Sequence, residues 1–547
     1  MASFVDDSAQ VRQPLLQQEA RTYNGTTTTT VTTTTLTRSE TQNATIATVD
    51  LSFDKGDPSD NPMEWPDSFK WGIVLLLSMM AFVTTFTCIS VVPLAGVIVD
   101  DLTPPPSLPA AAVVAADFTQ QTTVAASHVL LVTIWELGEA AGPLLIAPLS
   151  ELHGRYVVMN AANMLLIAAT VLAATSTTVP QFVTARALTG LAVACNVLNP
   201  AIVGDIFPPE ERGGAVSLVF LAPLIGGAIA PGIATMIADR FGSWRAVVWL
   251  AIALATTCEL LFLTYFRETY KLAILRKKVV AAAAAAAEID DNKQVVIKAV
   301  VDGEESDEPV LVSTGSELRK LRDAVLRPAL VLCGSGVLMA LSLLGSVAFT
   351  YFYIMSVTLP NVLQERYGLS SVATGWCFIS FTLGSAISVF ICNNSLDKIY
   401  IRMRDASKDG VGLPEYRLPL GVVGALCTPV AIAMYGWSAE LELPLPFLLL
   451  SVLIMGTTVM LTVIPLMAYV VDAFGLYSAS AMTGIIVTRC LMSTFLPLTT
   501  GPLIDNFGYG WGFSVFAAFS FCLAPISILI LRYGAKWRQF SKYSREQ

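Results

Sequence analysis

The sequence predicts an all-α polytopic membrane protein whose helices fall into two groups of six. Three observations predict it. Of 547 residues, 54% are apolar and only 14% charged, against about a quarter charged in an ordinary soluble domain. The charges are also segregated, so that long windows nearly free of Lys, Arg, Asp and Glu alternate with short polar connectors. Each window reaches the roughly 20 residues that a helix needs to cross about 30 Å of hydrocarbon. Third, the basic residues gather on alternate connectors, as they do when one side of a bilayer retains them.

In chain order, residues 1–66 are polar and of low complexity, with threonine runs at 26–30 and 32–35. Such a composition buries no apolar face, so a disordered tail open to phosphorylation is expected. A polar start without an apolar h-region gives no expectation of a cleaved signal peptide. Twelve apolar windows follow. The first six are 71–94, 128–149, 156–178, 183–206, 214–237 and 246–266; the second six are 328–356, 371–392, 419–437, 445–470, 478–500 and 511–532. Between the two sets, 267–327 is a charged connector with an alanine run at 281–287 and no sustained apolar pattern, read as a tether between halves. The outer connector 97–127 has no basic residue and is given no chemistry; 533–547 is a short polar tail.

Charge sets the orientation. With both termini inside, and with the long central connector left out, the cytoplasmic segments hold 17 basic residues and the outer loops three: Arg240, Arg245 and Arg366. Both termini are therefore expected in the cytosol. An excess of acids, 42 against 33 bases, excludes a nucleic-acid binder of the basic-patch kind. The nine cysteines lie in or beside apolar windows without a CxxC, and the two histidines form no HExxH, so no metal and no cofactor is expected. The chain also lacks the GxxxxGK[ST] string of a nucleotide-driven pump.

A few polar groups sit where hydrocarbon does not tolerate them. A charge at such depth costs several kcal/mol, on the order of 3, so it faces protein or a watery path. Glu136 and Glu139 lie three apart on one face of the second span. Two neighbouring buried carboxyls favour holding a proton, which a proton-coupled carrier requires; a structural pairing with a neighbouring helix is the alternative. Arg186, near the outer start of the fourth span, has either a packing or a gating and proton-relay role. Arg489, in the eleventh, is read as structural, and Glu259 as pairing within its own half. Candidates for a solute path are Phe82 and Thr85 in the first span, Asn196 and Asn199 in the fourth, and Phe349, Phe352 and Tyr353 in the seventh. For any single aromatic, packing is the competing role.

Small residues carry a second signal. Gly226, Ala230 and Ala234 recur every four residues in the fifth span, a row that permits close helix contact. Pro223 and Pro231 interrupt the same helix, and interrupted helices in a two-half protein point to alternating access.

These strings resemble the major facilitator superfamily, and within it the fungal twelve-span drug:proton antiporter family. GPLLIAPLSELHGRY (142–156) resembles the signature between spans two and three, which implies a conformational latch with Glu151, Gly154 and Arg155 at its acid, glycine and arginine positions. Leu152 and Tyr156 stand where the broader pattern has basic residues. RALTG (186–190) resembles the family's fourth-span arginine motif. GDIFPPEERGGA (204–215) is similar to the exit of that span, which implies that Asp205 and Arg212 join the latch network. The fifth span resembles the Gly-Pro-rich antiporter motif; it keeps Gly226 and Pro231 but has Gly227, Ala230, Ala234 and Thr235 where the family prefers proline or glycine. FRETYKLAILRKK (266–278) resembles the sequence closing the sixth span. SLDKIY, with Asp397 and Lys398, and PEYRLPL look like the second-half counterpart of the latch.

The resemblance covers about residues 65–535. It implies the major facilitator fold, a likeness to carriers that work as single polypeptides, and a solute path lined by spans one, four, seven and ten. The expected function is secondary export of an organic small molecule by proton antiport, the partners being that solute, protons and the lipid bilayer. The first span carries no acid within its apolar core, which disfavours polyvalent cations and favours a neutral or amphipathic product. The expected location is the plasma membrane, the vacuolar membrane being the alternative. Proton-coupled uptake, facilitated diffusion and a non-transporting sensor share most of these features. A membrane enzyme would need a cluster of nucleophile, base or metal ligands that two isolated histidines do not supply.

Overall fold

The computed structural model describes residues 32–33, 44–50, 61–103, 113–193, 195–208, 211–271, 273–274, 277, 294–301, 304–305, 317–407 and 412–544. Most of the expected disordered tail and most of the central connector lie outside these residues; 32–33, 44–50 and 61–66 of the tail lie within them. Ten helical segments among them are long and apolar enough to cross a bilayer. Each falls on an expected window, with two departures.

The fourth window is not one helix. Val179–Leu191 and Cys195–Ile206 are separate, and the break falls at Ala192 and Val193, just before the segment that contains Pro200. The eleventh and twelfth windows run together as one apolar segment, Ser478–Arg538. Within it a 3-10 turn at Leu496–Thr499, opened by Pro497, and the positive φ of Gly508 (74°) turn the chain. The first span also continues past its expected end. Asp67–Ile89 passes through a turn at Val92–Leu94, built on Pro93, into Ala95–Leu102.

Outside the spans, four short strands among the described residues form one small sheet. Ala44–Asp50 pairs in parallel with Gln294–Val301, and Thr32–Thr33 and Glu304–Glu305 pair antiparallel at its two edges. The abundance of β-branched residues in ATIATVD and QVVIKAVV suits such pairing.

Close helix packing rests on glycines at the crossings. A Cβ on Gly190 would stand 2.1 Å from the Trp135 carbonyl, and one on Gly138 would stand 2.1 Å from that of Ala187, so the second and fourth spans touch backbone to backbone. Gly384 and Gly456 do the same for the eighth and tenth spans. In the fifth span, Gly226 lies against Thr85 and the Phe82 carbonyl, and Ala230 is buried with Phe86 and Ala251. The structure thus uses the row of small residues as an inter-helix contact.

The buried apolar side chains divide unequally between the two ends of the molecule. At the end carrying Leu94, Leu102, Trp244, Leu363 and Tyr435, one cluster takes residues from both halves. At the opposite end the core is split. Ile73, Met159, Ile206 and Phe262 belong to a cluster of the first half, whereas Leu338, Leu418, Phe474 and Ile530 belong to one of the second. The halves therefore share a core at one end only.

Candidate functional site

Two carboxyls of the second span are central to the polar interior, because a three-residue spacing sends both toward the same neighbours. Glu136 is 1% exposed, and its Oε1 accepts a hydrogen bond from the Tyr353 hydroxyl of the seventh span. Its Oε2 is buried and has no hydrogen-bond partner among the described residues. Glu139 is placed differently. Its Oε1 accepts from Arg489 Nη2 at 2.9 Å, and its Oε2 accepts from Trp135 Nε1 at 3.3 Å. The Arg489 guanidinium lies 4.5 Å from the Phe349 ring centroid. Beside them is the Cys490 thiol, with one ligand atom of each carboxyl and the sulfur all within 4.8 Å of one another. Arg489, expected to be structural, is therefore the cation of this cluster. A third link lies one turn away, where Thr133 Oγ1 donates to the Thr494 carbonyl at 3.1 Å and Thr494 Oγ1 donates back to the Thr133 carbonyl at 3.4 Å.

Arg186 is 2% exposed, and its hydrogen bonds go to carbonyls: Thr87 at 3.0 Å, Cys88 at 2.8 Å and Leu131 at 3.5 Å. It lies 5.0 Å from the Trp135 ring centroid. Trp135 thus touches Arg186 with its face and Glu139 with its N–H. A buried cation dispersed over carbonyls and an indole ring is held without a carboxylate. A small cavity lined by Thr87, Ser90, Thr170, Phe182, Arg186 and Thr189 adjoins it.

The expected path residues divide. Phe349 and Phe352 are half-buried, and Phe352 packs on Phe381 with ring centroids 4.9 Å apart. Tyr353 is buried on Glu136. Phe82 and Thr85 lie against Gly226, and the Thr85 hydroxyl donates to the Ala81 carbonyl at 3.0 Å. Asn199 is buried, donating to the Leu77 carbonyl at 3.4 Å. The side chain of Asn196 lies outside the described residues. Glu259 does find a partner in its own half, accepting from Asn163 Nδ2 at 2.8 Å.

A second constellation lies at the split end, in the first half. Arg155 opens the third span, follows Gly154 (φ 92°), and pairs with Asp205 Oδ2 at 3.3 Å. It also donates to the Ser150 hydroxyl and lies 4.7 Å from the Tyr270 ring centroid. Glu268, in the string after the sixth span, supplies what the helix start lacks. Its carboxylate accepts from the backbone N–H groups of Arg155 (2.8 Å), Tyr156 (3.1 Å), Thr269 (3.1 Å) and Tyr270 (2.9 Å). An anion over orphan N–H groups is stabilised there. Asp205 additionally accepts from Thr269 Oγ1 at 3.3 Å. Arg212 instead donates to the carbonyls of Phe207 (2.9 Å) and Gly204 (2.7 Å), closing the exit of the fourth span. Glu151 is exposed on the preceding helix turn.

The second half has a matching cluster. Arg417 pairs with Asp397 and with Asp472, the latter at 2.9 Å, and lies 4.5 Å from the Tyr400 ring centroid. Lys398 is exposed, so the neighbour of Asp397 is Arg417 rather than its own sequence neighbour. Sequence reasoning missed Glu268 and Asp472 as site residues. The first lies within FRETY, a string singled out for resemblance only, whereas Arg417 lies within PEYRLPL, which the resemblance had already placed with Asp397 in the second-half latch.

An all-helical membrane body in two parts, with paired charge clusters at one end and buried carboxyls at depth, defines a membrane carrier. The chain belongs to the Major Facilitator Superfamily, whose sequence profile matches residues 74–497. It is similar to the efflux pump radE of Floropilus chiversii, 27% identical over 90% of this chain and 85% of that one. It is also similar to the MFS-type transporter MFS19 of Alternaria alternata, 30% identical over 90% and 94% of the two chains. The backbone resembles a D-xylose–proton symporter (TM-score 0.60, 16% identity, 84% of this chain and 97% of that one), which bears on the fold alone.

Proposed function

We propose that this chain is a secondary carrier that exports an organic small molecule in exchange for protons, with Glu136 as the proton-carrying group. The observation that carries the reading is the unequal treatment of two carboxyls one helical turn apart. Glu139 has a guanidinium at 2.9 Å and an indole N–H. Glu136 has only neutral groups on it, the Tyr353 hydroxyl and the nearby Cys490 thiol, and its Oε2 is buried with no hydrogen-bond partner among the described residues. A carboxylate held by so few donors takes up a proton once one of them is lost, whereas an ion-paired one is held charged. A relative named as an efflux pump supports the outward direction.

In this reading two six-helix bundles, 67–266 and 328–532, rock about a midplane site, with twelve spans and both termini in the cytosol. The clusters around Arg155 and Arg417 lock and release the cytoplasmic end. The half-buried Phe349 and Phe352 suit a neutral or amphipathic solute, and the carrier works as a monomer in the plasma membrane. The test is solute flux in reconstituted vesicles with and without an imposed pH gradient. Glu136→Gln fixes that site in a neutral form of similar size. It is expected to abolish gradient-driven accumulation while solute binding persists. Wild-type gradient dependence in folded Glu136→Gln protein would remove Glu136 from the mechanism.

A further inference from the structure

The second-span carboxyls receive their cross-molecular donors from one side only. Tyr353 and Arg489 both belong to the second half, whereas Glu136 and Glu139 belong to the first. With a rise of 1.5 Å per residue, Glu136 lies about 26 Å along the helix from His153 and Thr133 about 30 Å. Thr133 and Glu136 therefore lie on the shared-core side of the 126–153 span, Glu139, about 21 Å from His153, lies at its middle, and none of the three links is at the split end. The molecule is in the conformation in which the halves are closed at the Leu94–Leu363 end.

We infer that Tyr353 and Arg489 are positioning residues for proton coupling, because they make the ionised carboxyls the favoured forms only while that end is closed. The inference rests on reading Glu136 as the proton-carrying group, with Glu139 held charged while Arg489 is on it. Moving the halves apart at this end removes the Tyr353 hydroxyl from Glu136 and the Arg489 guanidinium from Glu139 in one motion. What remains beside the carboxyls on their own half is limited. Trp135 keeps its N–H for Glu139, and Arg186 keeps its carbonyls on Thr87, Cys88 and Leu131. The Cys490 thiol leaves with Arg489.

A hydrogen bond donated to a carboxylate favours the charged form, and its loss favours the protonated one. Opening at this end therefore draws protons from the water that enters there. Reclosing restores the two donors and drives those protons off the carboxyl oxygens to water on the other side. Conformation and protonation are thus tied through two contacts between halves, with no direct contact between proton and solute.

The test uses the full-length carrier in proteoliposomes. Spin labels are placed at Phe241→Cys and Leu441→Cys, exposed positions at the closed end, after replacement of the native cysteines. Distance distributions at pH 5.5 and pH 8 give the closed-to-open ratio of that end. In the parent the ratio rises with pH. Tyr353→Phe is expected to reduce that pH-driven change by about tenfold, since a hydrogen bond to a charged group is worth roughly that factor or more. Arg489→Lys, which keeps the charge but not the planar geometry on Phe349, serves if the first variant folds poorly and is expected to reduce it also. A full pH response in both, alongside a lost response in Glu136→Gln, overturns the inference and leaves the proton-carrying reading intact. A full response in Glu136→Gln and Glu139→Gln as well overturns that reading.

Discussion

Arg489 reaches from one half of the molecule to Glu139 in the other, Nη2 to Oε1 at 2.9 Å, with its guanidinium 4.5 Å from the ring of Phe349. The two residues are 350 positions apart in the chain. Because Glu139 is buried and Arg489 half-buried, removing Arg489 leaves the carboxylate uncompensated. Arg489→Met should lower stability by on the order of 3 kcal/mol, and the double variant Arg489→Met/Glu139→Leu should recover much of it. Thermal midpoints in detergent, read as a double-variant cycle, check this. Additive losses would mean the two side chains are not coupled.

The contact between the second and fourth spans makes a sharper demand. A methyl at Gly190 would meet the Trp135 carbonyl at 2.1 Å, and backbone cannot move aside as a side-chain tip can. Gly190→Ala should cost about 1–3 kcal/mol or prevent assembly, and it should disturb Arg186 four residues earlier. Gly226→Ala, whose nearest neighbour is a side-chain carbon of Thr85 at 3.2 Å, should be milder. Yield of monodisperse protein ranks the two; equal yields would count against the backbone contact.

At the split end, Glu268 holds the start of the third span and frames the Arg155–Asp205 pair. Glu268→Ala should slow turnover several-fold while leaving solute affinity within about twofold, and it should exceed the effect of Glu151→Ala. Initial transport rates against solute concentration separate turnover from apparent affinity. A larger effect of Glu151→Ala would return the latch to the acid singled out from the sequence.

Topology has its own check. Epitope tags at residue 10 and residue 540 should be reachable only after permeabilisation, because basic residues crowd the connectors on that side. A tag near residue 441 should be reachable without it if the carrier is in the plasma membrane. Termini on opposite sides would overturn the twelve-span reading.

The sequence by itself determined the membrane class, the near positions of the apolar segments, the proline and glycine interruptions, and the one-face placement of Glu136 and Glu139. These follow from composition, helical period and the cost of charge in hydrocarbon, all of which act within a single segment. The latch strings, with Asp205 in the network of Arg155, were legible through resemblance, but the pairings within them and the part of Glu268 and Asp472 were not. Arg155 meets Asp205 and Glu268, and Asp397 meets Arg417, only because separate helices end beside one another. Local spacing also has no means of telling Glu136 from Glu139. That difference comes from Tyr353 and Arg489, which are brought across by the packing of one half on the other. The broken fourth span and the core shared at one end alone were likewise decided by tertiary packing, since which side chains lose water depends on neighbours hundreds of residues away.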